Sequence, residues 1–185
     1  LTPVAATDRA LELQCAVLTP ASLVGWVAAS VNGLPRHAQL LQAAQWLGMV
    51  QATRDMAVEY AKIRTQFGRA IGSFQAIKHR CANMAIHAEV LGAQLMLATQ
   101  AQRYGWADAQ FQVDACRLLA APYALANARS NIQVHGGMGF SAECDAHVYL
   151  LRAHLHQPNG GALGAVAQRL LLHRAQGRNG DPACA

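Results

Sequence analysis

An arginine, an amide and an aromatic ring lie close together in one short segment, at Arg64, Gln66 and Phe67. A guanidinium forms paired hydrogen bonds to phosphate oxygens, an amide adds a further donor, and an aromatic face can contact a planar ring. The segment is therefore suited to a ligand that carries both a phosphate and an aromatic group. A helix hairpin with a solvated arginine explains the same spacing without a ligand, and both interpretations stay open on spacing alone.

Two predicted helices position this segment. Apolar residues recur at helical spacing before the arginine, which predicts a first helix from about Leu34 to Ile63. Two glycines then interrupt the pattern, and Ser73 is a suitable N-cap for a second helix that ends near Tyr104. The apolar positions of the second helix alternate in steps of three and four, which is typical of a packed bundle seam.

A glycine-rich segment, QVHGGMGF, occupies residues 133–140. Because glycine has no Cβ, backbone N–H groups in such a segment can approach a pyrophosphate closely. A helix that ends at a glycine is the simpler alternative. We expect a third helix from Asp108 to about Val134, and a fourth from Ser141 to about His154 that carries Glu143 in its first turn rather than as a catalyst.

Both segments resemble the C-terminal helical domain of acyl-CoA dehydrogenases. The first match is YAKIRTQFGRAIGSFQAIKH at residues 60–79, the second is residues 133–140, and the resemblance covers roughly residues 34–155. Members of that family have an N-terminal helical domain, a central β domain and this C-terminal bundle, with FAD bound between them. The resemblance implies a flavoprotein that catalyses α,β-dehydrogenation of fatty acyl-CoA or steroid side-chain acyl-CoA thioesters.

The resemblance also implies which residues contact FAD. In this arrangement Arg64 pairs with phosphate oxygens of a cofactor that belongs to a neighbouring subunit, and the glycines approach its pyrophosphate. The full set of implied cofactor-binding residues is Arg64, Gln66, Phe67, Ile71, Phe74, Gln133, Gly136 and Gly137.

The family reaction needs a carboxylate base, because the α-proton of a thioester is only weakly acidic. The resemblance places one family position for this base at Gly160, in the loop before the last helix, and the other at Ala38, early in the first helix. No Asp or Glu occurs in residues 13–54 or in residues 146–180. We therefore expect no catalytic residue in this chain.

The histidines do not replace that base convincingly. His37 and His156 are each more typical of surface histidines than of general bases. His154 and His156 would point in different directions on a helix, and His79 and His87 lie two turns apart, so we expect no metal site.

The helical patterns predict an all-α fold, and the composition predicts apolar surface that meets other protein. Of the 185 residues, 53% are hydrophobic and 14% are charged, and the charged share is about half that of a typical soluble domain. No apolar run approaches the roughly 20 residues of a membrane span. The net charge of +5 comes from scattered basic residues, which argues against nucleic-acid binding.

The domain prediction divides the chain into three parts. Residues 10–18 alternate like a strand, so we interpret residues 1–33 as the tail of a missing β domain plus a linker, poorly ordered alone or paired with another chain. Residues 34–176 form an up-down bundle of four to five helices, the last covering about 162–175. Residues 177–185 form a polar tail. Because the chain begins at Leu1, we expect its natural N-terminus to lie upstream.

The five cysteines are odd in number and far apart, which favours reduced thiols and a cytoplasmic location.

Three functional hypotheses follow from the sequence. In the first, the chain is one subunit of a homo- or hetero-oligomer, built as a dimer of dimers, which supplies FAD-binding surface while another chain supplies the base. By resemblance its substrate is an acyl-CoA and its usual electron acceptor is an electron-transfer flavoprotein. In the second, the chain is a structural helical module that binds no flavin. In the third, it is a self-sufficient enzyme with an unrecognised base.

Overall fold

The computed structural model describes residues 2–4, 13–15, 36–157 and 162–178. Five helices account for most of this part, which confirms the predicted all-α bundle. Short connections join successive helices. Their bounds are α1 Arg36–Ile63, α2 Gln75–Tyr104, α3 Ala109–His135, α4 Ala146–His156 and α5 Leu163–Arg178.

Helix α3 is the centre of the bundle and packs against each of the other four helices. Alanines at 120, 121, 124 and 128 are almost completely buried on this helix and let its neighbours approach closely. Asn127, which is fully buried, donates from Nδ2 to the carbonyl oxygens of Val50 on α1 and Met84 on α2, both at 3.1 Å. Its Oδ1 lies 2.8 Å from Nδ1 of His87. One amide therefore joins the three long helices.

The predicted seam of α2 is confirmed. The predicted seam positions, all of which are buried or half-buried, are Phe74, Ile77, Cys81, Met84, Ala88, Leu91, Leu95 and Ala98. Towards the start of α2, Met84 joins a small apolar cluster with Ala57, Ala61 and Val134. This cluster lies beneath both of the segments singled out in the sequence.

Two short antiparallel ribbons complete the described elements. The first pairs β1 Thr2–Val4 with β2 Leu13–Cys15. Of the strand predicted at residues 10–18, the structure describes Leu13–Cys15, which form β2. This strand pairs with β1 of its own chain rather than with another chain. The rest of residues 1–33 lies outside the described part. The second ribbon pairs β3 Thr65–Gln66 with β4 Arg69–Ala70 between α1 and α2.

The prediction that Ser73 caps α2 is wrong. A short 3-10 helix occupies Ile71–Ser73, and α2 begins after Phe74, whose side chain forms no cap hydrogen bond. The Ser73 hydroxyl instead donates to the carbonyl oxygen of Ala70 at 2.7 Å. A serine hydroxyl can bond to its own preceding turn as readily as to a following N–H group, and here the preceding turn is the partner.

The predicted start of the fourth helix and the predicted polar tail also need correction. A 3-10 helix covers Gly136–Phe140, and Ser141 has extended backbone, so α4 begins only at Ala146. Glu143 therefore lies in an exposed turn before α4 rather than in its first turn. At the other end, α5 continues to Arg178, beyond the residue where the tail was expected to begin.

Candidate functional site

The two segments singled out in the sequence meet at one open cleft of about 600 Å³. It lies where the end of α1, the β3–β4 ribbon and the start of α2 face the end of α3. The volume falls within the range of roughly 300–1,000 Å³ that is usual for small-molecule and cofactor sites. Its lining residues are Tyr60, Arg64, Gln66, Phe67, Ile71, Phe74, Ile77, Val134, His135, Gly136, Gly137 and Met138.

One wall of the cleft is a tight β-hairpin. Its turn residues Phe67 and Gly68 have φ of 53° and 75°, as the type I′ turn that matches strand twist requires. Glycine adopts this conformation freely, whereas a phenylalanine there is strained by about 1–3 kcal/mol. In this turn the Phe67 side chain is 90% exposed beside the cleft.

The hairpin is fixed to the bundle at Arg64. The Arg64 N–H donates to the carbonyl oxygen of Tyr60 at 2.9 Å, and its own carbonyl accepts from the N–H of Ile71 at 2.8 Å. The Phe67 ring contacts the Phe74 ring edge to face, with centroids 6.1 Å apart, and the Arg69 guanidinium lies 4.2 Å from the Phe74 centroid. The wall therefore presents aromatic faces beside a cation.

The opposite wall is the end of α3. His135 is the last residue of this helix, and its ring stacks on Tyr60 of α1 with centroids 4.2 Å apart and planes 24° apart. The Nδ1 atom of His135 lies 2.9 Å from the carbonyl oxygen of Asn131. A carbonyl only accepts, so Nδ1 carries a proton. This stack joins the two halves of the cleft.

Backbone geometry after His135 requires glycine at two positions. Gly136 has φ of 61° and ψ of −137°, a conformation that other residues rarely adopt. At Gly139 an added Cβ would lie 2.7 Å from the carbonyl oxygen of Ile132, which is closer than real Cβ contacts. Gly137 differs from both, because a Cβ there would meet nothing within 4 Å and would project into open space.

The structure brings seven of the eight predicted site residues to this cleft, and Gln133 is the exception. Gln133 is exposed and does not line the cleft, because the last turn of α3 directs Val134 and His135 inward instead. The additional lining residues are Tyr60, Ile77, Val134, His135 and Met138. Tyr60 could have been identified from its position one helical turn before Arg64.

The charge lining the cleft is positive. Arg64, which is exposed, is the one permanently charged residue among the described lining residues, and the Arg69 guanidinium lies just beside them against the Phe74 ring. No carboxylate among the described residues lines the cleft. The nearby Glu59 pairs with Lys62 at 2.6 Å on the exposed side of α1. The arrangement favours an anionic ligand with a planar ring.

The far end of the bundle, where the family base is expected, is polar but holds no carboxylate at either predicted position. Ala38 is half-buried in the first turn of α1, and Gly160 lies outside the described residues. His156 is held edge-on to Trp46, and its Nε2 lies 3.2 Å from Nε2 of Gln45. His37 is exposed.

A buried ion pair joins α3 to α5 at this same end. Arg169 donates to the two oxygens of Asp114 at 2.9 and 2.7 Å, and Asp114 is 2% exposed. Donating hydrogen bonds to Asp114 raises the pKa of Arg169 above its usual value, whereas burial lowers the pKa of the neighbouring Arg117. Asp114 therefore has a structural role, as the buried partner of Arg169.

The described residues contain neither a cluster of metal ligands nor a helix that could cross a membrane. No group of three or more His, Cys, Asp or Glu side chains there is arranged to hold a metal ion. None of the helices in that part of the chain combines the length and apolar character needed to cross a membrane.

A family model, a sequence relative and solved structures all indicate the same protein family. The family model described as acyl-CoA dehydrogenase, C-terminal domain, matches residues 25–176. Acyl-CoA dehydrogenase FadE34 of Mycobacterium tuberculosis is 42% identical over 166 residues, which cover 88% of this chain and 22% of that protein. The chain therefore spans about a fifth of the length of this relative.

Solved structures share the fold of the bundle. A structure of PigA with FAD and proline superposes with a TM-score of 0.72 at 27% identity, over 78% of this chain and 37% of PigA. The Tcur3481-Tcur3483 steroid ACAD variant has a TM-score of 0.72 at 28% identity, over 78% of this chain and 40% of that chain.

Proposed function

Because the chain belongs to the acyl-CoA dehydrogenase family through its C-terminal domain, we propose that its cleft holds the adenosine pyrophosphate half of FAD. The whole protein then catalyses α,β-dehydrogenation of an acyl-CoA thioester. A flavin held there would supply the acceptor for the hydride from the β-carbon. The observation that carries the proposal is the shared cleft, which joins Arg64 and Gly136 although the chain separates them widely.

The donor set fits a pyrophosphate. Arg64 supplies a guanidinium without a competing ion pair among the described residues, and Gln66 supplies an amide beside it. Gly137 leaves open space in front of its backbone, so an anion can approach it closely. Since no described carboxylate lines the cleft, nothing there repels the phosphates.

The apolar part of the cleft fits the planar end of the ligand. Phe67, Ile71 and Phe74 contribute one side, and Met138 faces them from the end of α3. Phe67 is 90% exposed in the chain by itself, which is the state expected of a ring that a ligand covers. PigA, a structural neighbour, was solved with FAD, which supports the same cofactor here.

The proposal assigns no general base to this chain. Of the carboxylates in the described residues, the buried one, Asp114, is paired with Arg169. Glu143 and Asp145 are exposed near the start of α4. The base then comes from another chain, or from a part of a longer protein that this sequence does not include.

The partner in this proposal is a further subunit of the same family, in a homo- or hetero-oligomer arranged as a dimer of dimers. An exposed apolar face of α2 supports such a contact, with Ile86 57%, Val90 40%, Leu97 40% and Tyr104 64% exposed at helical spacing. Electron-transfer flavoprotein is the proposed acceptor. Cys81, Cys116 and Cys144 are free thiols, in keeping with a cytoplasmic location.

Calorimetric titration with three ligands tests which half of FAD the cleft takes. We expect FAD and ADP to bind and to compete with each other, because both carry the adenosine pyrophosphate group. Riboflavin lacks the phosphates and should not compete. Riboflavin binding as tight as that of FAD would contradict the assignment, and no binding of any of the three would favour a structural module that holds no flavin.

A further inference from the structure

Arg69 lies on the cleft side of the hairpin that forms one wall. In the ribbon it pairs with Gln66, which lines the cleft. Side chains of directly opposed residues share one face of a ribbon, so the Arg69 side chain lies on the same face as that of Gln66. Arg69 is exposed and forms no ion pair within the described residues. Its contact with the wall is instead to an aromatic ring.

That ring belongs to Phe74. The guanidinium carbon of Arg69 lies 4.2 Å from the ring centroid, well within the roughly 6 Å over which a cation is attracted to an aromatic face. Phe67 meets the same ring edge to face, with centroids 6.1 Å apart. Phe74 therefore contacts a cation and a second ring at the same time.

The backbone of Phe74 is fixed independently of these contacts. Its N–H donates to the Ile71 carbonyl at 3.0 Å, and its carbonyl accepts from the N–H groups of Ile77 and Lys78 at 3.1 and 3.0 Å. These bonds hold the Cα atom in place but leave rotation about the side-chain bonds, so the orientation of the ring depends on its neighbours. Arg69 is the charged side chain over its face.

The two rings are the part of the cleft where the planar end of the proposed ligand lies. Phe67 and Phe74 both line the cleft, whereas Arg69 does not. A side chain that is already held in its binding orientation costs less ordering when a ligand arrives than one that is still free to rotate. An arginine over the Phe74 ring therefore favours ligand binding without contacting the ligand.

We infer that Arg69 is a positioning residue of the cleft, whose guanidinium covers the Phe74 ring and holds it beside Phe67 as a fixed surface for the planar ring of the ligand. The inference rests on the proposed function of the cleft. Arg64 contacts the pyrophosphate, and Arg69 acts through an aromatic side chain.

Calorimetric titration with FAD tests this in the full chain. Arg69→Ala should weaken binding about two- to fivefold, and Arg69→Lys should restore most of the affinity because an ammonium is attracted to the same ring face. Arg103→Ala is the control, since Arg103 also lies beside a ring, that of Tyr104 at 5.5 Å, but at the opposite end of α2. Its affinity should not change. Titration in about 0.5 M salt screens the long-range effect of a lost charge.

A double-mutant cycle separates positioning from direct contact with the ligand. Phe74→Leu keeps an apolar side chain but removes the ring. If Arg69 acts through Phe74, Arg69→Ala should weaken FAD binding in the unsubstituted chain and should have no further effect in the Phe74→Leu background. An equal loss in both backgrounds would show that Arg69 binds the ligand itself, and would overturn the inference.

NMR of the unsubstituted chain gives a second measurement that needs no variant to fold. The ring current of Phe74 should shift the side-chain proton signals of Arg69 upfield, and this shift should persist when FAD is added. Absence of the shift, or its loss on FAD binding, would contradict a positioning role.

Two outcomes distinguish this inference from the proposed function. If Arg64→Ala weakens FAD binding but Arg69→Ala does not, the inference is wrong and the proposed function stands. Failure of the unsubstituted chain to bind FAD, or binding that Arg64→Ala does not weaken, would overturn both.

Discussion

The ring of Tyr60 lies against the ring of His135 with centroids 4.2 Å apart, and this contact joins the end of α1 to the end of α3. The hairpin that carries Arg64 starts directly after α1, and the segment that carries Gly136 starts directly after α3. The stack therefore sets the distance between the two walls of the cleft. A ligand that contacts both walls depends on it.

Replacing Tyr60 tests this role. Tyr60→Ala removes a half-buried aromatic side chain and a ring pair, and we expect the free energy of unfolding to fall by about 2 kcal/mol. Urea denaturation followed by circular dichroism measures the loss. Tyr60→Phe keeps the ring and serves as the control, with a change of no more than about 0.5 kcal/mol. Equal losses in the two variants would show that the hydroxyl, rather than the stack, supplies the stability.

Alanine substitutions at Gly137 and Gly139 should have different effects, the first on ligand binding and the second on folding. A methyl group at Gly137 enters open space, so Gly137→Ala should fold normally but weaken FAD binding by obstructing the approach of an anion. A methyl group at Gly139 would lie 2.7 Å from the Ile132 carbonyl oxygen, so Gly139→Ala should destabilise the fold by about 1–3 kcal/mol. Thermal unfolding and FAD titration of both variants check this. If Gly137→Ala binds FAD as well as the unsubstituted chain, that segment does not contact the ligand.

The ion pair between Asp114 and Arg169 should contribute strongly to stability. Asp114→Ala leaves the guanidinium of Arg169 without its carboxylate partner beside the buried Arg117, and we expect a loss of about 3 kcal/mol. Chemical denaturation measures it. Glu59→Ala breaks an ion pair in which both side chains are well exposed, and provides the matched control with a change within about 0.5 kcal/mol. Similar losses for both would contradict the structural role of Asp114.

The buried thiol of Cys116 should react only when the chain unfolds. Burial raises the pKa of Cys116 from 9.0 to about 12. In a variant that keeps Cys116 and carries alanine in place of the other four cysteines, alkylation at about pH 8.5 should be slower by more than about a thousandfold in folded protein than in urea. Alkylation of the folded form at the rate seen in urea would show that the site is open.

The same pKa shift predicts how stability depends on pH. Because the folded pKa is the higher one, the contribution of the neutral Cys116 thiol to stability is complete below about pH 9. It should decrease as the pH rises from there towards about 12. In Cys116→Ala, the free energy of unfolding should decrease less steeply as the pH rises from about 9 towards about 12. Urea denaturation of both proteins across these pH values measures the difference.

The types and spacing of Arg64, Phe67 and the glycines, together with the family resemblance, singled out the two segments that form the walls of the cleft. The stack of Tyr60 on His135 could not be predicted, since it depends on how the ends of two helices meet across the bundle. Gln133 lies outside the cleft because each residue of a helix is rotated by about 100° from the last and the end of α3 turns Gln133 outward. Its contact with FAD stays a prediction.

Errors at helix ends came from competing local structure. Ser73 has the right side chain for an N-cap, but its hydroxyl bonds to Ala70 within a 3-10 turn. The glycine-rich segment also forms a 3-10 turn, at Gly136–Phe140, and α4 therefore begins only at Ala146. In both places residues suited to a helix start form a 3-10 turn instead, and composition does not distinguish the two outcomes.

The affinity of Arg64→Ala for FAD, measured by calorimetry beside Arg103→Ala, tests the central claim most directly. Arg103 is an exposed arginine at the opposite end of α2, so the two variants change the net charge equally. Loss of a charge-assisted phosphate contact of about 1.5–3 kcal/mol should weaken binding by roughly 10- to 100-fold in Arg64→Ala, with Arg103→Ala unchanged. Equal affinity of the two variants, with both folded, would contradict a pyrophosphate site at this cleft.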